Sequence, residues 1–331
     1  MRGTEDLGGG LKASFHFEGA MTPDVGTSGG LTFQRRSVLG LEGGFGTVVI
    51  GRDYTPLFTV SGVVDPFGTN GVGSAYNLAN NIITTDTTSS TTATTFRTRQ
   101  TGSVAGTNAA ASVFEGTVWS DPNSVRMSNA IGYTSPNFSG FTLAAMYSFG
   151  SENANLAEDA GRGASVRLTY AAGPLVVTGA HQMTKGGLVG AAASTTVPTA
   201  VAPTADQEWK TNFFGAAYDF GVARLSLGYK TDKLSGDADF TESFKTGIVG
   251  LTAPVGPWNF KASYVYREYD GEKIGSQVAV GVAYDLSKRT AFYANYAVLR
   301  NEADYGNNVG TAVSSAGQKS RGFEAGIRHV F

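Results

Sequence analysis

Apolar and polar residues alternate at every second position over most of the chain. In LKASFHFEGA (11–20), Ala13, Phe15 and Phe17 fall on one parity, and Lys12, Ser14, His16 and Glu18 on the other. Successive side chains of a strand point to opposite faces, so this spacing predicts a ribbon with one greasy and one ionic face. The pattern recurs. Val166, Leu168 and Tyr170 oppose Ser165, Arg167 and Thr169; Leu225, Leu227 and Tyr229 oppose Arg224, Ser226 and Lys230. Phe260, Tyr264 and Tyr266 oppose Asn259, Lys261, Ser263 and Arg267, and Val278, Val280 and Val282 oppose Gln277, Ala279 and Gly281. A 3.6-residue period is hard to find anywhere. The predicted strands are 11–20, 33–42, 46–54, 126–135, 140–150, 163–172, 175–184, 208–219, 222–231, 241–253, 257–268, 275–286, 289–300 and 320–331, about fourteen in all, with residues 1–10 read as a tight turn.

Alternation fits two architectures. A soluble sandwich turns its apolar face to a core and its polar face to water, whereas a membrane barrel turns the apolar face to lipid and the polar face to a lumen. The segments run near the ~9–11 residues that a bilayer-crossing strand needs, above the ~5–6 usual in globular proteins. Connections separate the readings further. Tight joins (42–46, 135–140, 171–174, 219–222, 253–258, 285–289) alternate strictly with long polar ones (54–125, 151–162, 185–208, 231–240, 301–319). A meander with short periplasmic turns and long external loops has that layout. Aromatic residues gather at strand ends, among them Phe45, Tyr54, Phe138, Phe141, Tyr147, Phe149, Tyr218, Phe220, Trp258, Tyr284 and Phe292, as interfacial girdles would require. The reading is all-β: a transmembrane antiparallel β-barrel forming a single domain over 1–331.

Composition narrows the chemistry. Charged residues make up 16%, against about 25% in soluble chains, as expected where one face of each strand meets lipid. Glycine, at 45 residues, serves turns, loops and a tightly curved wall. No cysteine is present, which excludes a disulfide scaffold, a thiolate metal site and a Cys nucleophile. A net charge of -2 from 25 basic and 27 acidic residues gives no reason to expect nucleic acid. The chain opens on charge and a turn, with no apolar signal segment behind it.

The segments RGTEDLGGGLKASFHFEG, FQRRSVLGLEGGFGTVVIGRDYTP, VVDPFG, SNAIGYTSPNFSGF, YDLSKRTAFYANYA and GFEAGIRHVF occur in the order found in the Gram-negative trimeric general-diffusion porins, and the chain closely resembles that family over almost its whole length. The resemblance implies a sixteen-stranded barrel. The signal peptide and first two strands would then lie upstream of Met1, which agrees with about fourteen strands here. It implies a homotrimer in outer-membrane lipid and a terminal Phe331 that serves, with the alternating Phe323, Ala325, Ile327 and His329, as the signal read by the assembly machinery.

It further implies that the long connection 54–125 folds inward to narrow the channel, beginning at Val64–Gly68. Its tract TTDTTSSTTATT (84–95) is low-complexity and polar, which predicts an inserted loop portion. Constriction arginines are expected at Arg126 and at one of Arg35 and Arg36. Parity favours Arg36, and a third arginine would belong to a strand not in this chain. Asp65, with Glu115 or Asp121, would supply the acidic side, and Arg52 a structural position near the subunit interface. By parity, Lys12, Glu18, Glu42, Arg167, Arg224, Lys230, Lys261, Arg267, Glu324 and Arg328 line the lumen, while acids such as Asp232, Asp237, Asp239 and Glu242 collect in loops. The expected function is passive diffusion of ions and small hydrophilic solutes, with a modest preference for anions. Alternatives are a solute-specific channel, or a barrel serving as a surface adhesin or anchor. Nothing predicts catalysis, a cofactor or a metal: His16, His181 and His329 lie on separate strands, and GDADFTE lacks a complete calcium-loop spacing.

Overall fold

The computed structural model describes residues 1–19, 32–79, 83–86, 95–98, 124–150, 161–185, 208–235, 241–303, 305–309 and 317–330. Its strands are β1 (Arg2–Gly8), β2 (Leu11–Glu18), β3 (Arg36–Gly43), β4 (Gly46–Tyr54), β5 (Ile83–Asp86), β6 (Thr95–Thr98), β7 (Arg126–Thr134), β8 (Phe141–Phe149), β9 (Arg162–Ala172) and β10 (Leu175–Lys185). They continue with β11 (Glu208–Asp219), β12 (Arg224–Ser235), β13 (Thr241–Val255), β14 (Trp258–Tyr269), β15 (Glu272–Asp285), β16 (Thr290–Asn301) and β17 (Lys319–His329). Three one-turn helices, α1 (Pro56–Thr59), α2 (Ser61–Val64) and α3 (Tyr76–Ala79), follow β4.

Fifteen strands make one antiparallel sheet in which each pairs with its sequence neighbours, from β1 at one end to β17 at the other; β5 and β6 form a separate hairpin inside the long connection. The wall therefore holds one strand more than the alternation predicts. Residues 2–8, expected as a turn, pair with β2, and the turn itself is Gly8–Gly10, all three at positive φ. The sequence RGTEDLG hides this strand because it carries a single large apolar residue. The strict alternation of short and long joins also fails once. β14 and β15 are linked at the loop end by Asp270–Gly271 alone, with φ 46° and 89°, the left-handed pair that a two-residue type I′ hairpin demands.

The two faces are as the period requires. Leu39 is 55% exposed, Ile50 54%, Phe214 56%, Leu227 51%, Val278 51% and Phe323 70%, one continuous apolar belt. Nothing this large stays in contact with water on a soluble protein; it is the lipid face of a transmembrane barrel. Aromatic rings crowd the short-turn rim, where Trp258 and Tyr284 lie 4.6 Å apart and Tyr218 and Phe220 4.7 Å.

The inner face is not uniformly polar. The segment 55–79 folds into the barrel and packs Leu57, Val60, Val64, Phe67, Ala75 and Leu78 against the wall residues Ala180, Phe213, Ile248, Val265, Ala279, Ala297 and Leu299. α1 lies on β8–β10, α2 on β11–β13 and α3 on β14–β15. Close approach explains two inward glycines. A Cβ at Gly250 would come 2.7 Å from the Val64 carbonyl oxygen and 2.8 Å from Pro66, and one at Gly322 would come 2.7 Å from the Val72 side chain. Part of the unusual glycine content is thus a smooth seat for the loop, besides the turns and curvature expected.

Candidate pore constriction and lumen

The local chemistry begins at the end of β4. Gly51, at φ 123°, faces the Ser37 carbonyl so closely that no Cβ fits, and the β4–β7 register slips between Gly51 and Asp53. Such a bulge re-aims the residues that follow it. Tyr54, expected in the outer aromatic girdle, instead enters an interior cluster. Its phenol oxygen accepts from Arg35 Nη2 at 2.9 Å and from Arg126 Nη2 at 3.0 Å, and donates to Glu18 Oε1 at 3.3 Å. The guanidinium carbons of Arg126 and Arg36 stand 4.4 and 5.3 Å from its ring centroid, within cation–π range. Phe58 of α1 stacks on its ring at 5.3 Å.

All three candidate arginines therefore meet at one side chain. Arg35 pairs with Glu18 at 2.5 Å and Arg36 with Asp53 at 2.5 Å. Arg36 Nη1 also donates to His16 Nδ1 at 3.0 Å; a guanidinium cannot accept, so His16 carries its proton on Nε2. Burial works against the charge on Arg35, but its hydrogen bond to Glu18 and the neighbouring phenol together raise its pKa above the ordinary value. Among the described residues, Arg126 has no carboxylate partner: its contacts are the Tyr54 hydroxyl and ring. Arg52 faces outward, donating to the Gln34 carbonyl at 2.6 Å and to Ser128 Oγ at 2.5 Å.

Asp65 does not face the passage. It is 6% exposed, and its carboxylate accepts the backbone N–H groups of Phe67, Ala75 and Thr69 at 2.9, 3.0 and 3.1 Å. Burial pushes its pKa up, opposed by those three donors and by the charge of Lys261. Its work is to hold the turn after α2, and the acidic side expected of it is absent from 55–79, where it is the sole charged residue. Glu115, Asp121, Asp237, Asp239 and Phe331, with most of the tract 84–95, lie outside the described residues.

The remaining lumen candidates divide into three groups. Arg167, Arg224 and Lys261 lie along the inner loop: Arg167 donates to the Thr59 hydroxyl, Arg224 to the Val63 carbonyl at 3.2 Å, and Lys261 sits 6.0 Å over the Phe67 ring. Lys230 and Arg267 point inward as parity requires but are sealed beneath α3, 1% and 0% exposed. Arg267 donates to the carbonyls of Leu78 (3.2 Å) and Ala79, and Lys230 to that of Ala79 at 3.5 Å. Between them sits Asp232, 3.1 Å from Lys230 and 3.4 Å from Arg267. Asp232 was expected in a loop; β12 continues through it because two buried cations and Thr211 Oγ1 satisfy its carboxylate. Glu242 is likewise a buried β13 residue, accepting from the Tyr269 hydroxyl at 3.1 Å. Finally, Lys12 and Arg328 are exposed near the short turns, Lys12 in register with Asp6 and Glu42, and Arg328 3.7 Å from Asp285.

The alternation missed Tyr54, Asp53 and Asp232 as interior groups, whereas His16 and Glu324 lie on the parity it turns inward, Glu324 accepting from Asn295 Nδ2 at 2.7 Å and from the Val72 N–H at 3.3 Å. A signal existed for the first two, since a glycine inside a strand followed by Arg-Asp-Tyr marks a bulge beside polar groups.

Residues 1–304 match the family described as Gram-negative porin. The outer membrane porin protein 32 of Delftia acidovorans is 32% identical over 100% of this chain and 83% of its own length. An outer membrane porin protein of Bordetella pertussis is 27% identical over 100% of this chain and 81% of its own. Among solved structures, the anion-selective porin from Comamonas acidovorans superposes with a TM-score of 0.74 at 30% identity, covering 100% of this chain and 88% of that one.

Proposed function

The chain belongs to the Gram-negative porin family, and from that premise we propose that it works as an anion-preferring general-diffusion channel assembled as a homotrimer. It is a porin of the outer membrane; the selectivity, the assembly and the residue roles are our reading. One barrel domain over 1–331 passes ions and small hydrophilic solutes down their gradients, without catalysis.

The observation that carries the anion preference is the charge balance around the passage. Arg35, Arg36 and Arg126 converge on Tyr54 against two carboxylates, Glu18 and Asp53. Arg167 and Arg224 engage only neutral groups among the described residues. The sole charged residue of 55–79 is a buried aspartate occupied by backbone donors. A narrow passage with low-dielectric walls and an excess of one sign enriches the opposite ion. The 30% identical anion-selective porin from Comamonas acidovorans supports the same reading. Planar-bilayer recording tests it: currents should rise in triplet steps with chloride more permeant than potassium. Saturable block by one solute class would favour a solute-specific channel instead.

A further inference from the structure

The tip of the inner segment carries a dipeptide with chemistry of its own. Asn70–Gly71 is the one Asn–Gly pair in the chain, and both residues are exposed although the segment lies inside the barrel. Gly71 is fixed as glycine twice over. Its φ is 71°, and a Cβ there would collide with both carboxylate oxygens of Glu324 on β17. Its carbonyl is tied down, accepting from the Ser74 N–H at 3.3 Å and from Asn77 Nδ2 at 3.1 Å. Its N–H has no acceptor among the described residues, whereas the next one, that of Val72, donates to Glu324 Oε2 at 3.3 Å. Asn70 is held by a single exposed hydrogen bond, Nδ2 to the Gly68 carbonyl at 2.9 Å.

These are conditions under which an asparagine loses its amide. The free Gly71 nitrogen attacks Asn70 Cγ; an N–Cγ bond forms, the Cγ–Nδ2 bond breaks, and ammonia leaves carrying the Gly71 amide proton. Water then opens the cyclic imide at either carbonyl, leaving aspartate or isoaspartate. With no Cβ on Gly71, nothing crowds the approach. Asn77, in the same segment, is the internal contrast. Its Nδ2 donates to the Gly71 and Val72 carbonyls at 3.1 and 2.9 Å, its successor is the bulky Leu78, and the Leu78 N–H is engaged by the Ala75 carbonyl at 3.3 Å. Either product at Asn70 would carry a carboxylate on the exposed tip, beside Glu324, in a segment whose sole charge is otherwise the buried Asp65.

We propose that Asn70 deamidates in the folded protein, a one-way change that adds a negative charge to the passage as the channel ages. The modification stands apart from ion selectivity; its electrical consequence rests on the anion preference proposed above. The test incubates the full folded chain, its barrel verified by heat-modifiable migration, at neutral and at mildly alkaline pH. Asn70 and Asn77 are then read by peptide mass spectrometry and with an isoaspartate-specific methyltransferase. Asn70 should gain the mass of the amide-to-acid exchange, faster at the higher pH, and Asn77 should not. Asn70→Gln should stay unmodified, because its longer side chain must close a less favourable ring. In a planar bilayer, aged wild type and fresh Asn70→Asp should both show a chloride-over-potassium ratio lowered about threefold, the effect of one unit charge at the passage. Aged Asn70→Gln should keep its fresh ratio. Asn70 left intact in the folded barrel while a denatured chain converts, or Asn70 and Asn77 converting together, overturns the proposal. Modification at Asn70 with an unchanged ratio overturns its electrical half. A fresh wild type that prefers potassium refutes the anion preference instead, and the mass measurement still decides the modification.

Discussion

Replacing Arg126 by Gln should lower the chloride-over-potassium permeability ratio about threefold. Arg126 is the member of the Tyr54 cluster that no described carboxylate neutralises, so its removal takes one full positive charge from the passage. An ion passing about 7 Å from a unit charge in water feels ~0.6 kcal/mol, halved to ~0.3 kcal/mol by a ~10 Å Debye length at about 0.1 M salt. The change has opposite sign for chloride and potassium, so the ratio shifts by ~0.6 kcal/mol, about RT, and low-dielectric walls can only enlarge it. The assay is the reversal potential across a KCl gradient near about 0.1 M, repeated near about 1 M, where screening should erase most of the effect. Arg328→Gln, at an exposed rim site already facing Asp285, should move the ratio much less. An Arg126→Gln ratio unchanged at low salt, or shifted as much by the rim variant, would refute the reasoning.

Three further outcomes follow from the same contacts. Tyr54→Phe removes an acceptor shared by two guanidinium groups; the cost of about 1–3 kcal/mol per unsatisfied donor should free both arginines and appear as altered selectivity with added open-channel noise. Asp65→Ala strips three backbone N–H groups of their acceptor, about 3–9 kcal/mol in sum, so single-channel conductance should rise and sharpened proteolysis within 55–79 should accompany it. Gly250→Val has no room against Val64 and Pro66; it should unseat the inner loop and enlarge the conducting step while heat-modifiable migration persists, and an unchanged step would show that the seat is not needed.

How far the sequence carries depends on which face a residue serves. The lipid face was legible, because Leu225–Leu227–Tyr229 and Val278–Val280 alternate cleanly against small or polar neighbours and appear on the outside of the wall. The first strand was not, since RGTEDLG alternates too weakly to announce itself, and only pairing with β2 holds it. The loop seat was hidden for a different reason. Ile248 next to Val249, or Val265 between Tyr264 and Tyr266, makes both faces apolar locally, and the inner one is claimed by a segment far away in sequence. Charge was the least legible of all. Parity turns Lys230 and Arg267 inward, but it cannot reveal that α3 closes over them or that Asp232 is their shared counter-ion. Arg35, which the parity of the predicted strand 33–42 turns toward lipid, lies just before β3 and reaches the cluster through Tyr54 and Glu18.

The central claim is that an arginine cluster with one charge that no described carboxylate neutralises, facing an inner segment 55–79 whose sole carboxylate is buried, makes this porin prefer anions. The most direct measurement is the zero-current potential of the wild-type channel in a planar bilayer between two unequal KCl solutions. The account predicts the sign set by chloride moving faster than potassium, with the preference fading as salt rises. A potential of the opposite sign, persisting at low salt, would contradict it.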